Sequence, residues 1–140
     1  MKTRNFIAVL ALMLGAFSMV IGQEERFYKV STFKTYKQNS SGDWELERLI
    51  DMSHTVYVNL SSNFISMPMP EADGNMIRVE FSVKNNKLEH EEDGKPFINM
   101  DVTDPLGNNA IVLLMYQRMI VSFNYKGYDY IYRYELTKID

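Results

Sequence analysis

The chain has 140 residues, no cysteine, and 18 acidic against 15 basic side chains, for a formal charge of −3. That balance argues against nucleic-acid binding, which wants a basic face to displace counterions, and against docking on anionic lipid. Without cysteine there is no thiol chemistry, no disulfide staple and no lipid-anchored cysteine terminus, so the fold must be held by burial alone.

Lys2 and Arg4 make a short positive start, and residues 6–21 then run apolar without a charge. The run falls short of the roughly 20 apolar residues that a membrane-crossing helix needs. It has the length and flanks of a secretory signal. Cleavage is expected after Gly22, leaving Gln23 as the new terminus, with Ser18 as the second option. An uncleaved anchor is the competing reading, but no cluster of positive charge follows the run to hold one in place. The expected organisation is therefore a signal at 1–22 and a single domain at 23–140, with no integral membrane segment after cleavage. Loss of Lys2 and Arg4 takes the charge from −3 to −5. A cysteine-free export product suits the bacterial envelope, so the expected location is periplasmic or secreted.

From residue 27 onward, period-two alternation recurs and helical periodicity is nearly absent. Residues 27–37 predict a first aromatic and β-branched strand, the cluster at 38–43 a turn, and 44–50 a second strand. In 55–60, Val56, Val58 and Leu60 share one face; 64–67 continue after a polar break, and Pro68 and Pro70 are expected to stop that strand. Asp73-Gly74 predicts a turn into 76–83, with Ile77, Val79, Phe81 and Val83 on one face. Asn85-Asn86 is read as a second turn, leading to a short segment at 87–92. Asp93-Gly94 leads into 97–102, and the loop at 104–109 into 110–116. Strands at 119–124 and 128–138, joined at Lys126-Gly127, complete the series.

Eight or nine short strands with tight connections predict an all-β fold: a single small antiparallel β-barrel, up-and-down and lipocalin-like or related, with a β-sandwich as the alternative. The barrel is preferred because consecutive hairpins need no crossover and closure removes exposed edges. Phe27-Tyr28-Lys29-Val30, Gly42-Asp43-Trp44, Val56-Tyr57-Val58, Asp104-Pro105-Leu106-Gly107 and the Tyr-rich final strand give the chain its most individual features. In these it resembles a group of small, signal-bearing, all-β secreted proteins of gut-dwelling Gram-negative bacteria. The resemblance implies compartment and fold, and it brings no known activity with it.

Tyr128, Tyr130, Tyr132 and Tyr134 fall on one face of the last strand, extended by Leu136. Such a row is either the inner face of the strand or a stacking platform for a flat ligand, with hydroxyls as hydrogen-bond handles. Met67 and Met69, with Met76 nearby, offer soft thioethers of the kind that hold Cu(I), but His54 and His90 do not adjoin them. The run Glu89-His90-Glu91-Glu92-Asp93 holds possible metal donors, yet matches neither an EF-hand loop nor a two-histidine zinc helix. No Gly-x-Ser-x-Gly elbow and no glycine-rich phosphate loop is present. The expected function is an exported, non-catalytic binding module without a cofactor, its partner a small molecule or an envelope protein. The alternative is a structural or protein–protein role, as an inhibitor or an envelope assembly factor.

Overall fold

The computed structural model describes residues 25–71 and 73–139, so the signal read at 1–22 lies outside the described residues. Among these, nine strands follow in chain order: β1 (Glu25–Gln38), β2 (Trp44–Asp51), β3 (Thr55–Asn59), β4 (Phe64–Pro70), β5 (Met76–His90), β6 (Pro96–Thr103), β7 (Asn109–Leu114), β8 (Arg118–Tyr125) and β9 (Tyr128–Ile139). All pairings are antiparallel, and β9 returns to β1 along Phe27↔Ile139 to Lys37↔Tyr130. The expected barrel forms: β1 and β3 to β9 close an eight-stranded ring, and β2 lies against β1 as an extra strand.

β2 and β3 share one line. Asp51 stands opposite Thr32 and Thr55 opposite Lys29, so residues 52–54 face only residues 30–31. The Met52 N–H donates to the Ser31 carbonyl (3.1 Å) and the Val30 N–H to the His54 carbonyl (2.8 Å) across this break. One extra residue thus bends a single long partner of β1 into two strands. Each remaining connection is a short hairpin, as the spacing of turn residues predicts.

Alternation decides which side chains fill the ring. Ile98, Met100 and Val102 on β6, Val112 and Leu114 on β7, and Met119 and Val121 on β8 are buried, and the residues alternating with them are not. Val30 and Phe33 on β1, on either side of a bulge, face the same core as Val56 and Val58 on β3. Each such side chain contributes about 1.5–3 kcal/mol when fully buried, which is the main force available to a chain with no disulfide. At the β8–β9 hairpin, Lys126 (φ 53°) and Gly127 (φ 86°) both adopt left-handed backbone. That is the two-residue turn whose twist matches the strands it joins.

Two expectations need correction. Asn85-Asn86 is not a turn: β5 runs unbroken from Met76 to His90, pairing Asn85 with Asp101 and Asn86 with Met100. A register shift between Val83 and Asn85 lets the strand bend there, which polar residues on a solvent-facing stretch tolerate. Nor does Pro68 stop β4: the strand runs through it and ends at Pro70, opposite Met76, so both prolines lie within the strand. They are tolerated because β3 pairs with β4 only as far as Tyr57↔Ser66, leaving residues 67–70 bonded to β5 alone. Their missing N–H groups therefore break no ladder. Arg78, directly across from Pro68, bridges the discontinuity. Its guanidinium donates to the Ser66 hydroxyl (2.8 Å) and to the Thr55 carbonyl, tying β5 to β3 over β4.

Candidate functional site

The two ends of the barrel differ. Hairpins β3–β4, β5–β6 and β7–β8 lie at one end together with Glu25 and Ile139, and the interior there is packed by Tyr28, Ile98, Leu114 and Leu136. Hairpins β1–β2, β4–β5, β6–β7 and β8–β9 lie at the other end, and there the interior opens into a cavity of about 460 Å³. Its inner wall is Thr35, Met69, Val79, Phe81, Val121, Phe123, Tyr130 and Tyr132. Glu47, Arg48, Glu71, Asp104 and Asn108 stand nearer the rim. The cavity spans the gap between β2 and β4, two strands that do not pair.

The tyrosine row of β9 descends into this cavity. Tyr128 is 48% exposed, Tyr130 and Tyr132 are half-buried, and Tyr134 is 0% exposed. An aromatic ladder connects them through two phenylalanines. Phe33 meets Tyr134 at 4.8 Å and Tyr132 edge-on at 5.2 Å. Phe123 meets Tyr132 edge-on at 4.9 Å and stacks on Tyr130 at 5.5 Å. Outermost, the Lys37 ammonium sits 3.9 Å above the Tyr128 ring. The inner rings of the row are therefore core, and the outer rings face the opening.

Hydrogen bonding follows the same gradient. The Tyr134 hydroxyl donates to the Pro68 carbonyl (2.6 Å), an oxygen on the stretch of β4 that β3 leaves unpaired. Burial pushes the Tyr134 phenol well above its ordinary 10, and neighbouring Tyr132 adds to the rise. Burial raises Tyr132 as well, with Arg48 pulling the other way and Tyr130 and Glu47 adding to the rise. At the rim, partial burial works to raise the Asp104 carboxyl. It is outweighed by hydrogen bonds from the Asn108 side chain (3.1 Å) and from the N–H groups of Asn108 (2.8 Å), Leu106 (2.9 Å) and Gly107, which hold it below its ordinary 3.8. The β6–β7 loop is thereby fixed as one side of the opening.

The sulfur and imidazole candidates are not brought together. Met67 is fully buried in the core, Met69 lines the cavity, and His90 is exposed at the packed end. His54 is exposed outside the cavity, and Met76 packs against the core. Glu89 and Asp93 are engaged locally, by Lys87 (3.4 Å) and by the Lys95 N–H (3.0 Å) and ammonium (3.8 Å), as in a charged hairpin tip. Sequence reasoning missed Phe123, Arg48 and Val79, which complete the cavity wall. The β8–β9 hairpin sets Phe123 beside Tyr130, and only closure of the ring brings Arg48 and Val79 to the same cavity. In chemical terms the cavity offers flat aromatic faces, a thioether, and a few polar groups at its rim. Among the described residues no helix is long and apolar enough to cross a membrane. Set against known protein families, curated proteins and solved structures, the chain returns no match.

Proposed function

We propose that this protein is an exported, non-catalytic binding module of a bacterial envelope, taking a small, mostly apolar ligand with a flat ring into the open end of the barrel. The observation that carries this reading is the 460 Å³ cavity walled by Phe123, Tyr130 and Tyr132. Ligand pockets commonly measure about 300–1,000 Å³, with apolar and aromatic walls and a few convergent polar groups. Stacked and edge-on rings are pre-positioned faces for another ring. Arg48 and the tyrosine hydroxyls supply the polar groups that orient it.

Export is supported by the positive start at Lys2 and Arg4 and the apolar run that follows. Expression in a Gram-negative host should give a mature chain beginning at Gln23, and recovery of Met1 in a membrane fraction overturns that part of the reading. Binding is tested by a thermal-shift screen of the purified protein against aryl glycosides, fatty acids and haem, repeated with Tyr130→Ala. A ligand that stabilises the parent protein and not the variant supports the assignment. If no compound stabilises it, or if the variant responds equally, the cavity is not the site.

A further inference from the structure

We infer that two copies of this chain pair through β2, antiparallel, in the register that sets Leu46 opposite the partner's Leu49 and Glu47 opposite the partner's Arg48. Among the described elements β2 touches only β1. Among the described residues its other edge is left unpaired, the situation that natural sheets guard against with charged side chains (lysine above all), proline, bulges or a covering segment. The open stretch of β4 has such guards in Pro68 and Pro70. The β2 sequence, WELERLID, has neither lysine nor proline.

Its side chains are those of a contact surface. Trp44, Leu46 and Leu49 stand opposite Gln38, Tyr36 and Lys34 on the outer face, and they are 43%, 53% and 59% exposed. The bulge between Thr35 and Tyr36 leaves Glu47 as the extra residue beside Arg48, and both turn toward the barrel opening. Neither forms a salt bridge within its own chain among the described residues.

The occupant follows from self-complementarity. Two identical antiparallel strands are related by a two-fold axis, so every contact occurs twice. In the proposed register Leu46 meets Leu49 and Trp44 meets Asp51 on the outer face, while Glu45 meets Ile50 and Glu47 meets Arg48 on the inner one. Every pair matches in face, and the two unpaired charges find opposite partners. A slip of one residue sets Glu47 against its own copy or Arg48 against its own copy, and mixes the faces. The sequence of this strand thus singles out one register with a second copy of itself. An unrelated peptide has no such constraint to satisfy.

Sedimentation velocity of the purified protein over a wide concentration range should show a reversible dimer. Glu47→Arg and Arg48→Glu should each weaken it by roughly tenfold or more, because two symmetric cross-strand pairs turn repulsive at once. Combining the two substitutions should restore dimerisation. Leu49→Lys, on the outer face away from the cavity, should also weaken the dimer while circular dichroism shows the strand content unchanged. A protein that stays monomeric throughout overturns the inference. So does a dimer indifferent to these changes, or one that the charge-swapped double variant fails to recover.

Discussion

Tyr134 and Tyr130 lie four residues apart on β9 and face the same way, yet they occupy different surroundings. Tyr134 is sealed among Phe33, Tyr132 and the β4 backbone, and its hydroxyl is the partner of an otherwise unpaired carbonyl. Tyr130 stacks on Phe123 with its other side toward the opening. The strand, the residue type and the face are the same; what differs is how many strands still surround the ring at that height. One repeated side chain can therefore serve as core at one end of a barrel and as cavity wall at the other.

The sharpest way to break this comparison is to truncate the inner ring. Tyr134→Ala should cost about 3–5 kcal/mol in chemical denaturation, a large share of the roughly 5–15 kcal/mol that stabilises a domain of this size. Tyr134→Phe keeps the ring and removes the hydroxyl. It should cost about 1–3 kcal/mol, the penalty of leaving the buried Pro68 carbonyl unpaired. If that variant is as stable as the parent, the hydrogen bond across the barrel is not holding the open stretch of β4. Tyr132→Ala should fall between, at about 1.5–3 kcal/mol, since its ring is only partly buried. Tyr128→Ala should change stability by no more than about 0.5 kcal/mol.

Titration sharpens the same contrast. The phenols of Tyr132 and Tyr134 are held protonated by burial, so their folded-state pKa values lie above the unfolded value near 10. Stability is then undiminished below pH 10 and is lost as pH climbs toward the folded values. Near-ultraviolet absorbance should show part of the tyrosine population ionising only as the protein unfolds in alkali. Asp104 works in the opposite sense. Its lowered carboxyl stabilises the rim above its ordinary 3.8, and that contribution fades as pH falls through the folded value. The stability difference between the parent and Asp104→Asn should accordingly be full near neutral pH and close in acid.

The sequence shows the tyrosine row, its common face and the barrel it belongs to, because strand periodicity and turn residues are local signals. Which rings are wet is a different matter, since that depends on where neighbouring strands end. Prolines at 68 and 70 read as a stop because nothing in the chain says that β3 would leave that edge empty. Asn85-Asn86 read as a turn because polar pairs favour turns, whereas here cross-strand pairing with β6 overrides local preference. Of the partners of the row, Phe123 lies across the local β8–β9 hairpin from Tyr130, whereas Arg48 comes from a distant segment brought alongside only by closure.

Closure itself carries a kinetic consequence. Every pairing around the ring joins segments close in sequence except one, the seam between β1 and β9, which brings Phe27 to Ile139. Hairpins form in microseconds because their loops are short. The seam instead demands that nearly the whole chain be ordered before its contacts repay the lost entropy. The slow step in folding should therefore be the meeting of the first and last strands. Until it occurs, the long edges of β1 and β9 both stand open to other molecules. Substitutions at the seam should mainly speed unfolding, and those inside hairpins should slow folding. Much of the aromatic content that shapes the cavity lies on the strand that zips last. The wall of Phe123, Tyr130 and Tyr132 should form with the β8–β9 hairpin, but the cavity should be enclosed only at the final stage of folding.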